Sequence, residues 1–309
     1  MSVSEMQVIT PVVITDAMLT SSSIAETDYA AWSNATTYSS GQYVIVTTAG
    51  VHKVYQSLQG SNLNKDPTNA ANAAWWAEVS PTNRWKMFDQ ASGTVSTDSS
   101  SIDVTLAPGR VDSVALLDVD AYQARLRIST PADGTFYDQT WTLTGATDVV
   151  GDWYDYFYAP IGQLRTLAVT GLTAVTDASV RVTLTRSGGT VSVGTFVVGT
   201  ATYLGEARYG VRAGIIDYST KSTDSFGRTT VVQRAYAKRM NVDVLVLSSH
   251  LDMLTNKLAD LRATLGVWIA GAADHTFDAL KIYGWFKDWE VTIPGPTYSS
   301  LTLQVEGIA

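Results

Sequence analysis

The chain has no cysteine, which excludes disulfides, thiolate metal sites and a cysteine nucleophile. Charge is scarce too. Only 16% of the 309 residues are charged, against roughly 25% in an average soluble domain. Lys and Arg number 21 against 29 Asp and Glu, a net charge of -8. That balance argues against a nucleic-acid partner, since phosphates call for a basic face. The three histidines, His52, His250 and His275, are far apart in sequence, and their spacing suggests no metal site. The G-x-S-x-G elbow of serine hydrolases and the glycine-rich phosphate loops are both missing. No apolar run reaches the roughly 18–20 residues of a membrane span, and the N-terminus lacks a basic-then-apolar leader pattern. The expectation is a soluble, cytoplasmically made protein that is structural rather than enzymatic, with no catalytic residue, cofactor or metal.

What is present points to folded β-structure. Hydrophobic residues make up 45%, with nine Trp, fifteen Tyr and seven Phe, which rules out a disordered chain. The length suggests two or three domains. Residues 1–205 carry 10 Lys and Arg against 18 Asp and Glu, whereas residues 206–309 carry 11 of each. The acidity therefore lies in the first two thirds, and a boundary is expected near Gly205.

Four segments are predicted. Residues 1–27 read as an N-terminal arm. Their run Val8-Ile9-Thr10-Pro11-Val12-Val13-Ile14-Thr15 is β-branched, and Pro11 suits an edge strand or an arm laid on a neighbour; a strand of the first domain is the alternative. Residues 28–81 form a small aromatic-rich module, with a hairpin about Thr48-Ala49-Gly50. Residues 82–205 alternate strand-like runs with turns at Asp133-Gly134 and Gly188-Gly189, as in a β-sandwich of jelly-roll or galactose-binding-like order. Residues 206–309 read as an α+β domain for oligomerisation or docking. Within it Leu247, Leu251, Leu254, Leu258, Leu261 and Leu265 form one helical stripe, started by Ser249 and stopped by Gly266. The segment ends on an alternating strand, Leu301–Gly307. The fold class is thus mainly β, multidomain, with one amphipathic helix.

Two residue sets invite chemistry. Asp118 and Asp120 share a strand face, while Asp148, Asp152 and Asp155 crowd the cluster Trp153–Pro160. Paired carboxylates suit sugar cleavage or calcium, but aspartates at turns and edges also bond local backbone. The basic stretch Arg228, Arg234, Lys238 and Arg239 is offset by nearby acids, which favours a solvated face or a subunit contact over nucleic acid.

The stretch Ala31-Trp32-Ser33-Asn34-Ala35-Thr36-Thr37-Tyr38-Ser39-Ser40-Gly41-Gln42-Tyr43-Val44 resembles the opening of a family 5/12 carbohydrate-binding module. The strand ending in Tyr55, the Asp66-Pro67 loop and the closing Trp75-Trp76 continue it; Gln42 departs from the family's usual Asp. The resemblance implies polysaccharide binding by ring stacking, with Trp32, Tyr55, Trp75 and Trp76 as candidates, the alternative being that both tandem tryptophans are packing residues. The whole chain, through Ile9–Thr15, Pro81–Asp89, Leu116–Ala121, Trp153–Phe157 and Ile282–Trp289, resembles tailed-bacteriophage structural proteins encoded among tail-tip genes. That implies a virion protein of the tail tip or baseplate, forming a homo-oligomeric ring beside other tail-tip or tail-tube proteins and contacting host-surface polysaccharide. A monomeric carbohydrate-binding adhesin and a polysaccharide-degrading enzyme with an accessory module are the alternatives.

Overall fold

The computed structural model describes residues 5–144, 153–158, 162–271 and 277–308, side chains at 154–156 excepted. The described chain is mostly antiparallel β-structure, as its composition and patterning predict. Among the described residues no helix is long and apolar enough to cross a membrane.

The first strand corrects the arm reading. β1 (Glu5–Pro11) is an interior strand. It pairs on one side with β13 (Ser179–Ala207) and on the other with β18 (Gly266–Ala270). Met6, Val8 and Ile9 are fully buried there. Pro11 is tolerated because it is the strand's last residue. After it, β2 (Leu19–Ser22) pairs with β8 (Ser96–Leu106).

The small module follows. β3 (Thr37–Tyr38) pairs with β6 (Asn62–Leu63). β4 (Tyr43–Val46), β5 (Lys53–Ser57) and β7 (Trp76–Pro81) make a three-stranded sheet. The expected hairpin is present: Val46 faces Lys53 across a turn in which Gly50 has φ +78°. Its core is Tyr38, Val44, Val46, Tyr55 and Trp76.

β9 (Ser113–Asp120), β10 (Gln123–Thr130), β11 (Gly134–Thr142) and β12 (Leu167–Val169) belong to the acidic middle of the chain. A short helix, α1 (Trp153–Tyr158), lies between β11 and β12. With β8 and β13 these strands enclose one apolar core, including Ile102, Leu106, Leu126, Val180 and Phe196. The Asp133-Gly134 turn joins β10 to β11 as expected. The Gly188-Gly189 turn does not reverse the chain. It is a bulge inside β13, a single 29-residue strand, where the pairing with β8 skips from Thr185 to Thr190. Two glycines in sequence read equally as a turn or as a bulge.

The boundary expected near Gly205 falls inside that same strand. β17 (Tyr236–Leu247), β19 (Lys281–Thr292) and β20 (Tyr298–Gly307) complete the C-terminal part. Pairing runs β13-β1-β18-β19-β20-β17 and returns from β17 to β13 at Glu206–Leu245 and Ala207–Val244. The six strands thus close into a barrel, and closure removes exposed edges. Gly205 sits at the seam with φ +138°, and a Cβ there would lie 2.5 Å from the Leu245 carbonyl oxygen. β1 from the N-terminus and residues 206–309 therefore share one core, in which Val8, Val244, Trp268 and Leu303 are buried.

The leucine stripe is helical, but shorter than the pattern suggests. A 3₁₀ turn at Ser248–His250 leads into α2 (Leu251–Asp260), with Leu254 and Leu258 buried against the barrel. Ser249 does not cap it; the helix starts without a side-chain cap. Gly266 does not stop it either. It begins β18, where a Cβ would come within 3.1 Å of the Ile9 carbonyl oxygen. Along β20, Leu301, Leu303 and Val305 are buried in strict alternation.

Between β13 and β17 the chain leaves the body. β14 (Arg212–Asp217) and β15 (Thr220–Thr223) run outward, and β16 (Thr229–Val232) and the start of β17 return. From Arg212 through Tyr236 no residue of this ribbon is buried.

Candidate functional site

Of the four rings proposed for sugar stacking, two are core. Tyr55 is 7% exposed and Trp76 is 5% exposed. Trp76 meets Tyr38 edge-on at 5.3 Å and donates its indole N–H to the Lys65 carbonyl at 2.8 Å. Such a ring has no face left for a ligand. Burial also raises the Tyr55 hydroxyl above its ordinary pKa, with Glu78 adding to the effect. Trp32 and Trp75 are half-buried and pack on the same core. The Lys65 ammonium lies over the Trp75 ring at 5.5 Å, a cation–π contact that occupies one ring face. The start of β7 divides the tandem pair. Trp76 opens the strand and points inward, and Trp75 lies just outside it.

The open rings of the module are others. Tyr29 and Tyr43 are 45% and 38% exposed, stacked with centroids 5.0 Å apart and planes 19° apart. Their separation of fourteen positions gives no periodic signal; only the pairing of the Tyr29 neighbourhood with β4, through Ile45 N–H to the Ala30 carbonyl, brings them together. Gln42, where the family resemblance expects Asp, accepts the Ser39 N–H at 2.7 Å and so holds the turn.

The module is fastened to the body by a polar knot. Glu26 meets His52 Nδ1 at 2.8 Å and accepts from the Thr82 hydroxyl at 2.6 Å. Asp16 lies 3.0 Å from His52 Nε2. The His52 ring stacks on Trp85 at 4.7 Å, and Arg84 donates to the Ile24 carbonyl at 2.7 Å. Beside this knot lies a cleft of about 450 Å³ between module and body. Ile14, Val51, Trp85 and Phe88 give it apolar walls, and Asp16 and Asp89 bring two carboxyls to it. Burial raises the Asp89 carboxyl above the usual range, against the lowering effect of its bond from Thr94.

The paired aspartates resolve into ion pairs. Asp118 lies 3.3 Å from Arg165, while Asp120 is bonded by Arg186 and accepts from Gln163 at 2.8 Å. Asp118 has φ +51° at a β9 irregularity opposite Gly194, so the two carboxylates serve separate partners. Asp148, Asp152 and His275 lie outside the described residues, as does the Asp155 side chain. Among the described residues no three His, Asp or Glu side chains gather as metal ligands. His250 is exposed at the start of α2.

The feature with no precedent in the sequence reading is the ribbon. Phe226 is 94% exposed, Ile215, Tyr218, Val231 and Tyr236 are each at least half exposed, and Tyr209 just before the ribbon is 95% exposed. Its tip is ordered: the Asp224 carboxylate accepts the backbone N–H of Phe226 at 2.9 Å and of Arg228 at 2.8 Å. The basic stretch Arg228, Arg234, Lys238 and Arg239 lies along its returning strand and base. The signal that could have found it is the aromatic and β-branched content of residues 215–232, which suits strands but does not say whether a core covers them.

A scan against protein families finds no model that matches this chain, and a search of curated proteins finds no matching relative.

Proposed function

We propose that this chain is a structural subunit of a homo-oligomeric assembly, of the kind that forms the tail tip or baseplate of a tailed bacteriophage, and that it is not an enzyme. The observation that carries this reading is the ribbon of residues 212–236, in which no residue is buried within its own chain. A two-stranded ribbon is marginal in water by itself, and large exposed apolar surfaces mark contact sites. A closed barrel also gives such a projecting ribbon a rigid base. The chain's resemblance to tail-tip proteins and its low charge point the same way, because closed rings bury neutral polar surface between copies. In this reading the neighbours are further copies and other tail-tip or tail-tube proteins, and the protein resides in the virion. The test is copy number in intact particles, by labelling and reconstruction. Several copies around the tail axis are expected; a single copy, or none, overturns the proposal.

A second reading has one observation in its favour. The open Tyr29–Tyr43 stack is a flat aromatic surface on the module, and rings of this kind stack on the apolar faces of sugars. A carbohydrate-binding adhesin, monomeric or carried on the assembly, would use it together with the free part of Trp75. Titration of the full chain with chitin oligosaccharides and bacterial surface glycans decides this. No binding by folded protein removes it.

A further inference from the structure

The ribbon needs a surface to cover it, and the chain supplies one of matching chemistry. From Arg208 to Tyr236 it carries Arg208, Arg212, Lys221, Arg228 and Arg234 against Asp217 and Asp224, a net of +3. Residues 1–205 carry a net of -8. The tip offers an apolar anchor, Phe226, followed two positions later by a cation, Arg228, on a backbone pinned by Asp224. The cleft between module and body offers the reverse: apolar walls from Ile14, Val51, Trp85 and Phe88, with Asp16 and Asp89 alongside. Asp16 is held by the Gly50 N–H and His52, and Asp89 by the Ala91 N–H and the Thr94 hydroxyl, so that both carry their charge at fixed positions. Its own cations are engaged, since Lys53 is tied to Glu78 at 2.8 Å and His52 lies between Glu26 and Asp16.

We infer that the ribbon tip of one copy docks in this cleft of a second copy, Phe226 entering between the apolar walls and Arg228 meeting the two carboxyls. This rests on the assembly reading above and names the surfaces it would use. The contact is head-to-tail, since tip and cleft are different surfaces. Repeated around an axis it closes a ring, and without closure it extends as a chain. The volume of about 450 Å³ is ample for one phenylalanine with the stem of an arginine. Three physical terms favour the union. A 94% exposed ring leaves water, attraction between the basic ribbon and the acidic body steers the encounter, and the partly buried Asp89 gains a cation beside it. Lys86 is a nearby positive charge already acting on Asp89; Arg228 would add a second.

The absence of cysteine makes the test clean. Ser225→Cys places a thiol beside Phe226, and Ala17→Cys places one at the exposed edge of the cleft. Under mild oxidation, a mixture of the two single variants should give a disulfide-linked heterodimer, and the double variant a ladder of linked chains. Thr176→Cys, exposed elsewhere on the body, is the control partner and should stay unlinked to Ser225→Cys. Phe226→Ala, read by sedimentation across a concentration series, should weaken self-association roughly tenfold or more, as removal of a buried aromatic anchor does. The inference is overturned if Ser225→Cys links only to itself, links to Thr176→Cys as readily as to Ala17→Cys, or links to nothing. It is also overturned if Phe226→Ala associates like the parent. Copy number in particles is a separate measurement, so many copies per particle without the cross-link would sink this contact and leave the assembly standing.

Discussion

The small module and the ribbon are both short, aromatic and built around hairpins, yet they treat their rings in opposite ways. In the module Tyr38, Tyr55 and Trp76 turn inward and make a core from about fifty residues. In the ribbon Tyr218, Phe226 and Tyr236 all stand in solvent. The difference is the number of layers. The module folds a three-stranded sheet, a second strand pair and a loop around one centre, so rings can meet. Beyond its base, where β14 borders β17 at the edge of the main sheet, the ribbon is only two strands wide, and no residue from 212 to 236 is buried. Aromatic content therefore announces large contact area, and topology decides whether the contact is internal or with another molecule.

The sharpest contrast is between neighbours within the module. Trp76→Ala should cost about 3–5 kcal/mol, the usual loss for a buried large aromatic, because it removes the core ring and its bond to Lys65. Trp75→Ala should cost well under half as much, its ring being half-buried. Chemical denaturation of the full chain, followed by fluorescence and by proteolysis within residues 28–81, measures both. Equal costs would break the division into inward and outward rings.

A buried tyrosine of the body gives the next largest effect. Tyr283 lies in the apolar layer shared by β1, β9, β13 and β18. Burial pushes its hydroxyl pKa from 10.0 to about 12, with the Asp89 charge adding to it. The neutral hydroxyl is thus favoured in the fold, so its contribution is complete below pH 10 and shrinks as pH rises towards 12. The loss is on the order of 2 kcal/mol across that window. The difference in stability between the parent and Tyr283→Phe, measured at intervals from pH 9 to 12, should fall with pH by that amount. A constant difference would mean that the hydroxyl is hydrated in the fold.

How much of this was legible in the sequence depends on the distance over which each feature is encoded. The β-class, the Gly50 hairpin, the Asp133-Gly134 turn, the leucine helix and the final strand are written in runs of about ten residues, and each is present. The place of β1 is not written locally. Val8-Ile9-Thr10 says strand, but only pairing with Ala201 and Val267, both far away in sequence, makes Ile9 interior. The same holds at Gly205: a composition shift marks the place, yet the chain runs straight through it, because the barrel needs a glycine where β13 meets β17. In the candidate site, the small aromatic-rich unit is present, while two of the four candidate rings, Tyr55 and Trp76, are core. Period-two alternation predicts one inward and one outward ring, but the strand starts only at Trp76, so Trp75 stays half-buried on the same core. Tyr29 and Tyr43 carried no signal, since their contact depends on a loop crossing a strand end.

If glycans bind the module, the Tyr29–Tyr43 stack sets the scale. An aromatic contact is worth about 0.5–1.5 kcal/mol beyond simple burial. Tyr43→Ala should therefore weaken glycan binding by roughly two- to twelvefold on the same scale, with little change in stability because the ring is outside the core. Tyr55→Ala should instead unfold the module. Titration and denaturation of both variants tell these apart. Unchanged binding in Tyr43→Ala, with a folded module that still binds through Trp75, would move the site to the other half-open ring.

The smallest expected change in stability belongs to the most exposed ring. Phe226 touches no apolar core, and its position is set through the backbone, by Asp224 accepting from Phe226 N–H and Arg228 N–H. Phe226→Ala should therefore leave unfolding within about 0.5 kcal/mol of the parent, the range of surface substitutions away from special features. Asp224→Ala removes two hydrogen bonds that order the tip, so its effect should be local: faster amide exchange at residues 225–228, with the barrel strands unchanged. Together the two variants separate the ring from the geometry that presents it. Were Phe226→Ala to destabilise the isolated chain by more than 1 kcal/mol, the ring would be packing within its own copy, and the contrast between the inward module and the outward ribbon would fail at the point where it is widest.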